Sequence, residues 1–239
     1  MSLLTRLAIP LALMTTLVAV AVTGLAADRS ETRAVSAFTA IALAASLKVD
    51  VVQGAAERLV LEGDERALAD LETVVEQGVL KIRTRSHTDV PGMSKVRAQV
   101  SAKTIDALRI AGSGDITAAA LRAPSLKIAV SGSGHVRIGE LTSTTLEVAV
   151  SGSGDVLLGG KADSVSTSIA GSGDVKAGKL EARTARVSIA GSGDVTLYAR
   201  ESLTVSIVGS GDVRFYGDPE VKRSVIGSGN VRRLGATPS

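Results

Sequence analysis

The strongest candidates for chemistry in this 239-residue chain form one column. Asp115, His135, Asp155, Asp174, Asp194, Asp212 and Asn230 each directly follow a Gly-Ser-Gly, and the seven motifs recur at spacings of 20, 20, 19, 20, 18 and 18 residues. Carboxylates stacked at the strand spacing of ~4.8 Å repel one another, and a hard cation such as Ca²⁺, held by oxygen ligands, would relieve the repulsion. The pattern favours a plainer role. Calcium-binding β-rolls use Gly-Gly-x-Gly-x-Asp nonapeptides twice per turn, whereas here one Asp follows the second Gly once per period, and His135 and Asn230 interrupt the column. Arg137, Lys176, Arg214 and Arg232, two residues further on, can offset the acids, and Asp after Gly is a common turn residue. The column is expected to make turns, with no metal ligands.

The other reactive residue types carry less. His87 and His135 have no sequence neighbours that suggest a ligand set or a triad. The motif serines lack the Gly-x-Ser-x-Gly elbow, and a phosphate cradle needs a helix where strand follows instead. Polysaccharide lyases and hydrolases on solenoid folds gather acids around one bond. Here the acids are spread one per period, and no long insertion is present to wall a cleft. Neither catalytic nor cofactor-binding residues are expected.

The apolar pattern around the motif defines the scaffold. Two positions before each first Gly stand Ile110, Val130, Val150, Ile169, Ile189, Ile207 and Val225, and four after stand Ile116, Val136, Val156, Val175, Val195, Val213 and Val231. Further rungs run from Leu108 to Arg223 on one side and from Ala118 to Arg233 on the other. The period of two continues through the glycines, which is strand spacing, and a repeat near 20 residues makes one coil that buries its apolar side only by stacking. The expectation is an all-β, right-handed, single-stranded parallel β-helix of about seven 18–20-residue coils. On this parity both motif glycines point inward and allow a tight corner.

Residues 34–104 lack the repeat. Leu47, Val49 and Val51, then Leu59 and Leu61, then Val79 to Ile82, then Val96 to Val100 read as strands; Leu68, Leu71 and Val75 predict a short helix over Glu65 to Glu76, closed by Gln77-Gly78. His87 to Ser94 reads as a loop. No linker separates this segment from the repeats, so it is expected to cap the solenoid, with 34–233 as one domain, 105–233 as its repeat coils and 234–239 as a disordered tail. At the far end Arg223 and Arg233 replace apolar rungs, which keeps another chain from pairing with the open edge.

Residues 1–27 read as a signal peptide: Arg6, an uncharged apolar run from Leu7 to Val22, then Gly24-Leu25-Ala26. The small-residue exit and the early Pro10 fit a cleaved leader better than a retained anchor. The chain has 27 Lys and Arg against 24 Asp and Glu, and losing Arg6 leaves a net charge of only two positive. With four aromatics (Phe38, Tyr198, Phe215, Tyr216) this balance argues against nucleic acid. No cysteine is present, so disulfides, thiolate metal sites and lipid-anchored Cys are excluded.

The opening Phe38-Thr39-Ala40-Ile41, the Val49-Asp50-Val51-Val52-Gln53-Gly54 strand and turn, the Gly78-Val79-Leu80-Lys81-Ile82 strand and the repeated Ser/Ala-Gly-Ser-Gly-Asp-Val resemble the auto-transporter adhesin head family, the GIN domain, over roughly 35–232. The resemblance implies an exported β-helical protein of the bacterial envelope, in the periplasm, at the cell surface or secreted, and it supplies no catalytic residues. The expected function is a non-enzymatic, adhesin-like module that binds a surface glycan or envelope protein through polar ladders, the alternative being a carbohydrate-active enzyme on the same scaffold. Neither a cofactor nor a membrane span after leader cleavage is expected. Amino-terminal sequencing of envelope-localised protein should begin near Ala27 or Asp28; an intact Met1 in the membrane fraction would overturn the cleaved leader.

Overall fold

Rows of β-branched residues at a constant register can bury themselves only against copies of themselves, and the chain winds accordingly. The computed structural model describes residues 28–85 and 90–238. The expected leader and His87 lie outside the described residues. Sixteen strands join one sheet system. The first segment comprises β1 (Asp28–Arg33), β2 (Ala40–Ala44), β3 (Lys48–Gln53), β4 (Arg58–Asp64), α1 (Glu65–Asp70), β5 (Leu71–Glu76), β6 (Val79–Thr84) and β7 (Arg97–Ala102). The repeats follow as β8 (Ala107–Gly112), β9 (Asp115–Gly132), β10 (His135–Gly152), β11 (Val156–Gly171), β12 (Val175–Gly191), β13 (Val195–Gly209), β14 (Val213–Tyr216), β15 (Glu220–Gly227) and β16 (Val231–Gly235). Neighbouring coils from β9 to β16 pair in parallel, giving a β-solenoid of about 6 turns. Seven motifs bound that number of complete coils, one fewer than a count of motifs suggests.

The predicted ladders are the core up to the last coil, where Val225 is 36% exposed and Val231 only partly buried. Ile110, Val130, Val150, Ile169, Ile189 and Ile207 are at most 2% exposed, as are Ile116, Val136, Val156, Val175, Val195 and Val213. Register through the motif is unbroken, with Gly152 opposite Gly171, Gly171 opposite Gly191 and Gly191 opposite Gly209. The differing period lengths are absorbed elsewhere, at the shifts between Ile138 and Leu141, Leu157 and Gly159, and Ala177 and Glu181.

The two motif glycines differ. The second, as at Gly134, Gly154, Gly173, Gly193 and Gly211, is buried, and a Cβ on it would meet the preceding coil's glycine carbonyl and a core Val or Ile. The first does not point inward as the alternation predicts. It lies at the corner with φ between 118° and 137°, and from Gly132 onward its missing side chain faces the backbone of the coil below.

The coils of the opening segment are not stacked in chain order. β2 pairs in parallel with β8 on one side and β6 on the other, and β3 lies between β9 and β7 in the same way. The coil made by 40–53 is therefore sandwiched between the later 79–102 coil and the first repeat. β4 then runs antiparallel to β7 and β1 antiparallel to β4, closing this end.

The predicted helix over Glu65 to Glu76 stops at Asp70. Asp64 caps it by accepting from the backbone N–H groups of Arg66 and Ala67, but Thr73, Val74 and Val75 form a β-branched run that packs better as strand. β5 pairs antiparallel with β6 through a turn with φ of 51° at Gln77 and 75° at Gly78, the two positive values that a tight hairpin requires. Across the pair Arg83 bonds Glu72 at 2.7 Å and Lys81 bonds Glu76. These hydrogen bonds hold both carboxyls below the usual Glu range. Their stabilisation is complete above the ordinary Glu value and is lost as pH falls through the lowered folded value.

At the other end Arg223 lies opposite Val205 and Arg233 opposite Phe215, so both occupy ladder positions on the last strands. Strand continues to Gly235, one residue past Leu234, where the tail was expected to lose order.

The inward second glycine generates a direct test. Gly173→Ala forces a Cβ against Gly154 and Val150 and should lower stability by about 1–3 kcal/mol, whereas Ser172→Ala, exposed one residue away, should leave it within about 0.5 kcal/mol. Thermal melts of the two variants check this.

Candidate functional site

The Asp column stands where the strand ladder breaks at the corner, and its chemistry follows from that break. A corner N–H cannot meet the ladder carbonyl it would have in a straight strand, so another acceptor must be supplied. Asp174 N–H donates to Asp155 Oδ1 at 3.1 Å, Asp194 N–H to Asp174 Oδ1 at 3.1 Å, Asp212 N–H to Asp194 Oδ1 at 2.9 Å and Asn230 N–H to Asp212 Oδ1 at 3.0 Å. Each of these four carboxylates thus holds the next coil with a charge-assisted bond.

The second carboxylate oxygens are shared in pairs. Lys176 Nζ lies 3.5 Å from both Asp155 Oδ2 and Asp174 Oδ2, and one Arg214 nitrogen lies 3.2 Å from both Asp194 Oδ2 and Asp212 Oδ2. One cation every second coil therefore offsets the repulsion that a bound metal was invoked to relieve. Among the described residues no group of three or more His, Asp or Glu is placed to hold a metal ion.

His135 substitutes for an Asp with the same geometry: its Nδ1 accepts the Asp155 N–H at 3.3 Å. At the start of the column the pattern changes, because the His135 N–H goes to the Gly114 carbonyl at 3.2 Å and not to Asp115. The motif serines are exposed, and their backbone N–H groups bind the preceding coil's first glycine, as Ser153 N–H does to Gly132 O at 2.9 Å. These are scaffold contacts.

Two further concavities lie along the repeat coils, and the sequence reading did not single out either. One, of about 610 Å³, runs along a different corner past Arg122, Thr142, Thr144, Lys161, Glu181 and Arg183. Its far half is closed by ion pairs, Glu181 with Arg200 and Arg183 with Glu201, both at 3.0 Å. The other, also about 610 Å³, is lined by Gly139, Gly159 and Gly178 together with Leu157, Tyr216, Arg137 and Lys179. Their residues come from successive coils and become neighbours only after stacking. A column count around the second corner, parallel to the one made around Gly-Ser-Gly, would have found both.

The sequence profile of the family described as "Putative auto-transporter adhesin, head GIN domain" matches residues 37–219, and the chain belongs to that family. It is an adhesin-like β-helical module. Among solved structures it is similar to a "putative adhesin" from Bacteroides fragilis, at 25% identity and a TM-score of 0.84 over 87% of this chain and 97% of that one. It is also similar to a "putative lipid binding protein" from Parabacteroides distasonis, at 26% identity and a TM-score of 0.71 over 87% and 96% of the two chains. A "putative adhesin" from Parabacteroides merdae, 22% identical with a TM-score of 0.71 over 87% and 96%, shares the fold. No curated protein matches the chain significantly. No helix among the described residues is long and apolar enough to cross a membrane.

The column makes two measurable predictions. Chelator should leave the Tm unchanged, while a true cation site at 100 times its Kd would add about 2.7 kcal/mol. Asp194→Ala removes both the acceptor for Asp212 and one partner of Arg214, and should cost about 1 kcal/mol at this half-exposed position.

Proposed function

We propose that this chain is an exported, non-enzymatic module of the bacterial cell envelope that binds a surface glycan or an envelope protein through its outward polar ladders. Residues 1–27 are its leader, 34–233 its β-helix domain and 234–239 a short tail. It acts in the periplasm, at the cell surface or after secretion. No cofactor, nucleic acid or membrane span of the mature chain takes part.

One observation carries the reading: equivalent outward residues repeat coil after coil in register. Ser168, Ser188, Ser206 and Ser224 form one exposed row, and the Asp column with Lys176 and Arg214 forms another. Such rows offer a repeating ligand the same weak contact many times, and strength then comes from multiplicity. The carboxylates of Asp155, Asp174, Asp194 and Asp212 are committed to backbone N–H groups and cations, which weighs against the carbohydrate-active alternative.

A second reading has its own observation. One relative is described as lipid binding, and in this chain the groove over Gly139, Gly159 and Gly178, with Leu157 41% exposed, is an apolar surface that an acyl chain would fit.

Glycan and envelope-protein arrays probed with the purified chain test the proposal. Weak monovalent binding that strengthens about 10²-fold or more on clustering the protein is the expected result. Release of new reducing ends from any polysaccharide would favour the enzyme, and capture by phospholipid vesicles alone would favour the lipid reading.

A further inference from the structure

We propose that the corner groove past Arg122, Thr142 and Lys161 binds an acidic polysaccharide that carries a carboxylate on alternate sugars and lies along the solenoid axis. The inference rests on the binding-module reading above and names the ligand class and the site.

The argument starts from register. Arg122, Thr142, Lys161 and Glu181 are direct partners in successive strands, so they form one column. Arg122 and Lys161 are two coils apart, about 9.6 Å at the spacing of paired strands. A β-linked pyranose in an extended chain advances by close to one such spacing, so a disaccharide spans the two cations. Thr142 lies between them, where the intervening neutral sugar would sit, and Thr144 adds a hydroxyl to the groove lining.

Charge separates the two halves of the groove. Arg183 and Arg200 are ion-paired to Glu201 and Glu181, whereas Arg122 and Lys161, both exposed, have no ion pair among the described residues. An anion is therefore drawn to this half. Asp163, which also has no ion pair among the described residues, sits beside Lys161 in the groove wall and supplies an acceptor for sugar hydroxyls. Neutral glycans would lose the two cation contacts.

Arg122 is also held in place. Gln53 reaches from the capping coil and completes a ladder rung with it: the Arg122 N–H donates to Gln53 Oε1 at 2.9 Å, and Gln53 Nε2 donates to the Arg122 carbonyl at 3.0 Å. A backbone fixed before binding loses less entropy on binding. The groove's lining has no apolar side chain larger than Pro124 to receive the anchor residue that an acidic peptide would use, which favours the glycan.

Titration of the folded protein with hyaluronate oligosaccharides, which carry one carboxylate per disaccharide, tests this. The controls are their carboxyl methyl esters and polyglutamate. Arg122→Ala and Lys161→Ala should each weaken hyaluronate binding about tenfold, the methyl esters should bind more weakly than the parent, and rising salt should oppose binding. Lys127→Ala, on another face and paired with Glu147 at 3.2 Å, should change nothing. Thermal melts report folding, and Lys161→Ala alone decides the matter should the Arg122 variant not fold. Equal binding of acid and ester, tighter binding of polyglutamate, or indifference to both substitutions overturns the groove assignment. A protein that binds array ligands yet ignores hyaluronate loses only this inference; one that binds no ligand at all loses the module reading as well.

Discussion

The structure depends on backbones approaching one another where no side chain intervenes. At each corner the first glycine lies over the first glycine of the coil below, and the second tucks its carbonyl beneath the next. With Cβ atoms absent there, adjacent coils keep strand spacing around a sharp bend, and the Val and Ile columns on either side remain in register. If the corner opened, both ladders would lose contact together.

The same bend explains the acidic column. A corner tight enough to need glycine turns a backbone N–H out of the ladder, and the Asp that follows returns an acceptor to it. Lys176 and Arg214 then neutralise the acids two at a time. Most of the residues that look most chemical in the sequence are thereby used in construction, and the surface proposed for recognition lies away from them. There the coil lengths vary, the glycines are irregular and some cations remain unpaired.

Much of the repeat region was legible because its code is local. Period, parity and β-branching reveal the inward ladders, and the positions of Arg223 and Arg233 mark the last rung. The helix boundary was harder, since Leu68, Leu71 and Val75 fit helical spacing while Thr73 to Val75 prefer strand, and only the partner strand β6 decides between them. The orientation of the first motif glycine escaped the alternation because strand parity ends where φ turns positive. The groove at Arg122 went unnoticed for a different reason: its residues have unremarkable neighbours in sequence and gain meaning only when coils of unequal length are laid over one another.

The order of the opening coils has a consequence for how the chain comes together. Residues 40–53 are made before either layer that covers them, since one face awaits 79–102 and the other awaits the first repeat. A chain emerging amino terminus first therefore cannot close its starting nucleus until the first full coil has also appeared, and the early apolar segments stay uncovered until then. From that point each later coil finds a finished template directly beneath it. Assembly thus passes from one long-range closure to a series of short steps, so that the beginning of the chain waits while its end simply winds on.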